Sequence, residues 1–122
     1  MPSAVRALRG ATTVDEDTTE QIRERTVALL DAMLEANDLH HDDLISVIFT
    51  ATDDIHAMFP ALAGRENGLD DVPLLCAREL DITGATPRCI RILMHMTTER
   101  SREELHHIYL EGAVGLRDKL PS

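Results

Sequence analysis

An arginine interrupts an apolar segment that otherwise has the pattern of a buried strand, Cys89-Ile90-Arg91-Ile92-Leu93-Met94-His95-Met96. A guanidinium group keeps its proton in proteins, so burying it is costly unless a negative group or a ligand lies against it. Any fold that this chain adopts must therefore bring a negative partner to its most strand-like segment. That requirement is the strongest constraint in the sequence.

A second apolar segment leads to a carboxylate. Residues 72–77 have the pattern of a strand, Glu79 follows two residues later, and a loop rich in turn-forming residues covers 81–87. Opposite charges at strand ends commonly pair with each other or with a ligand. Arg9 also lies at the end of a predicted strand. Each charge alone is explained by an ion pair or a solvated loop, but Arg9, Glu79 and Arg91 together predict a site for a small, polar, anionic molecule.

The composition fits a single domain over residues 1–122, with 43% hydrophobic and 28% charged residues. The formal net charge of −10 argues against nucleic acid or an anionic membrane surface as a partner, since both attract cationic surfaces. No apolar segment approaches the roughly 18 residues that span a bilayer, and no signal-peptide core is visible. We therefore expect a cytoplasmic protein.

The periodicity of apolar residues predicts the order β-α-β-α-β-β-α. The predicted elements are a strand over 5–10 that turns at 10–13, a helix over 18–38, a strand over 44–51, a short helical segment over 54–68, strands over 72–77 and 89–97, and a last helix from 101. Two sets of residues resemble capping boxes, Thr18 with Gln21 and Ser101 with Glu104. This order predicts an α+β sandwich with one mixed sheet. Its helices would cover one face, and the other would be covered by a partner or be polar.

The two cysteines, Cys76 and Cys89, are candidate nucleophiles, but both lie in apolar strands, where free cysteine usually behaves as a small hydrophobic residue. Their spacing predicts neither a disulfide framework nor a zinc site. The histidines include two adjacent pairs, a spacing that chelates metal poorly, and His95 has the position of a core or rim histidine. We therefore expect no metal. No glycine-rich phosphate-binding motif or nucleophile elbow occurs. Tyr109, the only tyrosine, is either a core residue or a functional one.

Several separated segments resemble the monofunctional AroH-class chorismate mutases, in the same order and spacing as in that family. They are Arg9-Gly10-Ala11-Thr12-Thr13, the segment 51–61 with Asp54, His56 and Phe59-Pro60, the segment 72–84 with Cys76, Glu79, Asp81 and Thr83-Gly84, Cys89-Ile90-Arg91, Tyr109-Leu110-Glu111 and Leu116-Arg117. The resemblance covers essentially the whole chain. It implies an isomerase that converts chorismate to prephenate in phenylalanine and tyrosine biosynthesis, without cofactor, metal or covalent intermediate.

The resemblance also implies an assembly and a set of roles. Family members are homotrimers with a pseudo-α/β barrel core, whose sites lie between subunits. Arg91 would stabilise the charge on the ether oxygen, Glu79 would accept the ring hydroxyl, and Arg9 and Tyr109 would bind the side-chain carboxylate. The remaining substrate-binding residues implied are Phe59, Arg65, Leu74, Leu75, Cys76, Leu116 and Arg117.

Two positions depart from the family pattern: Leu62 replaces a lysine at the pocket rim, and Leu75 replaces a threonine. These changes bear on substrate capture rather than on the central charges. Two other functions remain open at this level. One is a trimeric binding domain without activity, which the joint presence of Arg9, Glu79, Arg91 and Tyr109 disfavours. The other is a general acid–base lyase with Glu79 as base, which would give a bell-shaped pH profile.

Overall fold

The computed structural model describes residues 2–116, which form one five-stranded mixed sheet with two helices. The strands are β1 (Ala4–Thr13), β2 (Leu44–Ala51), β3 (Leu74–Arg78), β4 (Cys89–Thr98) and β5 (Ile108–Tyr109), and the helices are α1 (Thr19–Ala36) and α2 (Pro60–Gly64). The α+β class and the mixed sheet are as predicted from the sequence. No helix in this described part of the chain is long and apolar enough to cross a membrane.

The strand with the arginine lies at the centre of the sheet. The strand order is β3-β2-β4-β1-β5, so β4 pairs antiparallel with both β2 and β1, while β3 and β5 add parallel edges. Ten pairs join β4 to β1, from Ala4 opposite Thr98 to Thr13 opposite Cys89. The arginine is therefore carried by the most extensively hydrogen-bonded strand, which restricts the movement of its backbone.

Helix α1 covers one face of the sheet. Thr18 caps it by accepting a hydrogen bond from the backbone N–H of Gln21 at 3.2 Å, as the sequence predicted. The Gln21 side chain does not complete a capping box and instead accepts from Asp15 and Glu16. The predicted apolar stripe is buried, with Leu29, Leu30 and Met33 packed on the inward residues of the strands. Both helices contact this same face, in agreement with the prediction.

The opposite face is open. Residues that alternate with the buried ones point there, including Arg9, Ile48, Thr50, Leu75, Arg91 and Leu93. Val5 and Leu75 on this face are 63% and 60% exposed. An exposed apolar surface of this kind is typical of an interaction site.

The prediction that β1 turns at residues 10–13 is wrong, because the strand continues to Thr13. Gly10 has a different purpose from a turn. A Cβ atom at Gly10 would lie 2.5 Å from Sδ of Met33, so glycine allows α1 to pack closely on β1.

The prediction of a last helix is also wrong. Ser101 and Glu104 do form a capping box, but it begins only the 3-10 turn Arg102–Glu104, and the backbone of Leu105 is extended. The following chain finds non-local partners. Asn37 binds both backbone groups of His106, donating to its carbonyl at 2.9 Å and accepting from its N–H at 2.6 Å. Residues 108–109 then pair with the free edge of β1, so Tyr109 lies on a strand.

Candidate active site

A cavity of ≈ 250 Å³ lies on the open face of the sheet. Its polar lining comes from five side chains, Arg9, Thr50, Glu79, Arg91 and Tyr109, surrounded by aliphatic residues of β2 and β4. Four of these residues were predicted as site residues from the sequence. The fold thus brings Arg9, Glu79, Arg91 and Tyr109 together from segments far apart along the chain.

Strand register places each of these groups. On β4, Arg91 lies opposite Thr50 of β2 on one side and Ala11 of β1 on the other. Tyr109 of β5 in turn lies opposite Ala11, which places its side chain on the same face as Arg91. The small side chain at position 11 lies between the two polar residues. A cation and a phenol therefore share one wall of the cavity.

Glu79 is held just beyond the end of β3. Its backbone N–H donates to the carbonyl of Ala51 at 3.0 Å, which continues the pairing of β2 and β3. Its Oε2 accepts a hydrogen bond from the hydroxyl of Thr50 and lies 3.6 Å from Nε of Arg91. The Glu79 and Arg91 side chains are 24% and 35% exposed. The negative group that the burial of Arg91 requires is therefore Glu79.

Two polar atoms at this cavity are left unsatisfied. Nε of Arg91 and the hydroxyl of Tyr109 are buried, and neither has a hydrogen-bond partner among the described residues. Buried polar groups are paired in the great majority of cases, so each unpaired group calls for an explanation. A donor-rich, unsatisfied wall facing one carboxylate is suited to a ligand that carries both anionic and hydroxyl groups.

Sequence reasoning missed Thr50. The signal was present, since Ser46, Ile48 and Thr50 share one face of β2 by alternation, and a polar residue there must point to the same side as other site residues. The missing information was the register that sets Thr50 opposite Arg91. Without that register, Thr50 is one threonine in an apolar strand.

Neither cysteine is set up as a nucleophile. Burial raises the pKa of the Cys89 thiol, and the neighbouring charge of Arg91 offsets this only in part. Burial likewise raises the pKa of Cys76, whose Sγ accepts a hydrogen bond from the backbone N–H of Ala61 at 3.3 Å. Both thiols therefore remain protonated at neutral pH, which removes their nucleophilic form.

A second set of predicted site residues lies away from this cavity. Phe59, 72% exposed, and Cys76 line a separate groove of ≈ 630 Å³ beside α2. Leu74 and Cys76 point to the helix-covered side of β3, whereas Leu75 points to the open side. Arg65 is exposed in the turn after α2. One protomer thus separates the predicted residues into a group on the open face and a group at the β3 edge.

Leu116, the last predicted site residue that the structure describes, lies close to the cavity. Leu116 is buried against Cys89, Ala11 and Ala113, in a small cluster on which Tyr109 packs. Arg117 lies outside the described residues. Leu116 therefore belongs to the apolar cluster that supports Tyr109.

Comparisons with known proteins place this geometry in a family. Residues 5–120 match the family model described as chorismate mutase type I. A chorismate mutase AroH from Bacillus subtilis is 42% identical over 117 residues, covering 95% of this chain and 92% of that protein. A chorismate mutase AroH from Thermus thermophilus is 47% identical over 119 residues, covering 97% and 98%. The solved structure of a chorismate mutase from Clostridium thermocellum superposes with a TM-score of 0.86 at 44% identity, covering 88% of this chain and 96% of that one.

Proposed function

The chain belongs to the chorismate mutase type I family, and we propose that its reaction takes place on the open sheet face, around Arg91 and Glu79. It is an isomerase that converts chorismate to prephenate in aromatic amino acid biosynthesis. The observation that carries this assignment is the buried Nε of Arg91, which lies 3.6 Å from Glu79 and has no hydrogen-bond partner among residues 2–116. A fixed cation with a free donor, set beside a carboxylate, is what a dianionic substrate with a ring hydroxyl requires.

The proposed role of Arg91 follows from the charge that develops in the reaction. The rearrangement breaks an ether C–O bond as a C–C bond forms, and negative charge gathers on the ether oxygen. A preoriented cation aimed at that oxygen stabilises the transition state more than the ground state. The long ladders on both sides of β4 fix the backbone of Arg91, so little reorganisation is needed when the charge develops.

Glu79 has a complementary role in the proposal. Its carboxylate accepts a hydrogen bond from the ring hydroxyl of chorismate, and its negative charge stabilises the electron-poor side of the transition state. The Thr50 hydroxyl donates to Oε2 and so holds the carboxylate in one orientation. Arg9 and Tyr109 bind the side-chain carboxylate, which keeps the flexible substrate folded for reaction.

We further propose that the active protein is a homotrimer in which the two groups of site residues meet across a subunit interface. Three features support this assembly. The open face exposes Val5 and Leu75, Phe59 is exposed beside α2, and the groove with Phe59 and Cys76 lies away from the cavity with Arg91. The β3 edge of one protomer, with Phe59, Leu74, Leu75, Cys76 and Arg65, would then close the cavity of the next, and Arg117 would complete it. A cytoplasmic location belongs to the same proposal, supported by the free thiols of Cys76 and Cys89.

The test is direct. Purified protein, without added metal or cofactor, is mixed with chorismate while loss of chorismate absorbance and formation of prephenate are followed. We expect prephenate to form in equimolar amount to the chorismate lost, with the same rate after treatment with EDTA. No prephenate, or release of another product, would contradict chorismate mutase activity, and with it the proposed site.

A further inference from the structure

A histidine outside the cavity holds the backbone of Arg9. The Arg9 N–H donates to Nδ1 of His107 at 3.0 Å, a contact between residues 98 positions apart in the chain. His107 immediately precedes β5, and the β1–β5 ladder begins with Gly10 opposite Ile108. The imidazole ring thus occupies the place where the next ladder partner would lie. It continues the pairing of the two strands by one side-chain bond.

This bond joins Arg9 to the segment that carries Tyr109. In the proposed function, Arg9 and Tyr109 bind one end of the substrate. Arg9 is on β1 and Tyr109 is two residues after His107, and both line the cavity. Their relative position depends on how β5 docks on β1. The backbone of this short ladder is joined by two residue pairs, by the Leu110 N–H to the carbonyl of Ala11 at 2.9 Å, and by the His107 contact. In so short a ladder, one bond is a large share of the total.

The contact requires a particular protonation state. A ring nitrogen accepts a hydrogen bond only when it carries no proton, so the proton of neutral His107 must be on Nε2. Burial lowers the pKa of His107, and the charge of Arg9 lowers it further. The neutral ring that the Arg9 contact needs is therefore the state favoured by the fold at pH 7.

The charged groups around His107 are mainly arginines. A cavity of ≈ 610 Å³ beside His107 is lined by Arg6 and Arg9 from β1, His95 from β4, and Arg102 and Glu103 from the 3-10 turn. Of these groups, Arg9 is the one whose charge lowers the pKa of the ring. Glu103, the one carboxylate among these lining residues, is exposed.

We propose that His107 is a positioning residue for Arg9, and that protonation of its ring releases the Arg9 backbone and weakens substrate binding in acid. The proposal rests on the function proposed above. It predicts that a reaction without any proton transfer nevertheless loses efficiency at low pH. The loss would arise from the shape of the site and would appear chiefly in KM, because Arg9 binds the substrate carboxylate in both ground and transition states.

Two variants of His107 test separately its role as a hydrogen-bond acceptor and its ability to take up a proton. His107→Asn places an amide oxygen near the position of Nδ1 but does not titrate, so it should keep kcat/KM within about 3-fold at pH 8. It should also lose the acid decline expected of the wild type, which should set in below the ordinary histidine pKa of ~6.5 because burial and Arg9 lower the pKa of His107. His107→Phe keeps a ring but leaves the Arg9 N–H unpaired, and should raise KM by roughly 5- to 20-fold at every pH with a smaller change in kcat.

The neighbouring histidine provides the control. His106 is exposed, and its hydrogen bonds with Asn37 use its backbone groups, so His106→Asn should keep both the rate and the acid decline of the wild type. If His107→Asn retained the wild-type acid decline, or if His107→Phe folded with an unchanged KM at pH 8, the proposal would be wrong.

A readout without substrate distinguishes this proposal from the proposed function. In nitrogen-15 NMR spectra of the unliganded protein, the amide of Arg9 should shift with pH in step with the His107 ring, and this shift should vanish in His107→Asn. An Arg9 amide that does not titrate with His107 overturns the inference even if the protein is a fully active mutase. A titrating amide in a protein that makes no prephenate leaves the backbone contact intact and overturns only the function.

Discussion

Nε of Arg91 lies 3.6 Å from Oε2 of Glu79, beyond hydrogen-bond distance, while the Thr50 hydroxyl donates to that same Oε2. The two opposite charges are thus close enough to attract each other, but Nε of Arg91 does not donate a hydrogen bond to Oε2 of Glu79. A directly bonded pair would have to be broken before a ligand could bind. This arrangement keeps the Arg91 donor free at a small distance from its counter-charge.

Replacing Arg91 by lysine should leave the fold intact and remove most of the activity. Lysine keeps the positive charge but lacks the planar guanidinium donors, so it cannot reproduce the geometry toward the ether oxygen. Loss of one preoriented transition-state contact costs about 3–4 kcal/mol, so kcat should fall at least about 100-fold. Arg23→Lys is the matched control, because Arg23 is exposed on α1, where its Nε pairs with Glu66. Steady-state kinetics and circular dichroism check both; a lysine variant within a few-fold of wild type would contradict the role of Arg91.

Thr50→Val tests the orientation of Glu79. Valine has nearly the same shape as threonine but lacks the hydroxyl that donates to Oε2. Loss of one such bond to a charged group costs about 1.5–3 kcal/mol, so kcat/KM should fall by roughly 10- to 100-fold. Thr97→Val, at the far end of β4 where the side chain is exposed, should change little. Equal kinetics for the two variants would mean that the Thr50 hydroxyl has no part in the reaction.

Cys76 should be dispensable as a nucleophile. Burial raises its thiol pKa, so the thiolate is scarce at neutral pH. Cys76→Ser keeps an acceptor for the Ala61 N–H and should retain substantial activity, whereas Cys76→Ala leaves that N–H unpaired and should weaken the start of α2. The rate of the wild type should be nearly level between about pH 7 and 9, because the thiols take no part in a pericyclic step and their ionisation therefore does not change the rate. A dead serine variant with a steep rise in rate toward pH 9 would indicate thiolate chemistry instead.

Leu75→Asp should dissociate the proposed trimer. Leu75 is 60% exposed on the open face, so a charge there is tolerated in the isolated protomer but not in an apolar interface. We expect sedimentation as a monomer, retained secondary structure, and loss of nearly all activity because the cavity would lack its second wall. Ala28→Asp, on the exposed side of α1, should remain assembled and active. A fully active monomer, of the variant or of wild type at micromolar concentration, would exclude the shared site.

Local pattern was sufficient where burial alone decides structure. The apolar run at 44–51 became β2 with the predicted bounds, β4 extends one residue beyond its predicted end, and the Thr18 cap begins α1. That Arg91 and Glu79 lie close together was also predicted, because burying a charge is costly without an opposite charge nearby. These features depend on each segment's own composition and on one strong electrostatic requirement.

Features that depend on distant partners were not predictable in the same way. The 3-10 turn Arg102–Glu104 has a good local start for a helix, yet Asn37 and the free edge of β1 stabilise an extended chain after it. Thr50 and His107 gained their importance only from register, opposite Arg91 and beside Arg9. The trimer is a prediction based on the family resemblance and on the open face.

The central position of β4 has a consequence for how such a site can evolve. The strand that carries Arg91 is bounded on both sides by long ladders. The edge strands β3 and β5 are short, and within the described part of the chain each pairs with one neighbour. A substitution near Glu79 or Tyr109 disturbs an edge strand with one neighbour, whereas one around Arg91 disturbs a strand paired on both sides. We expect the cation to be inherited unchanged among descendants of this chain, and adaptation to altered substrates to accumulate along the two edges.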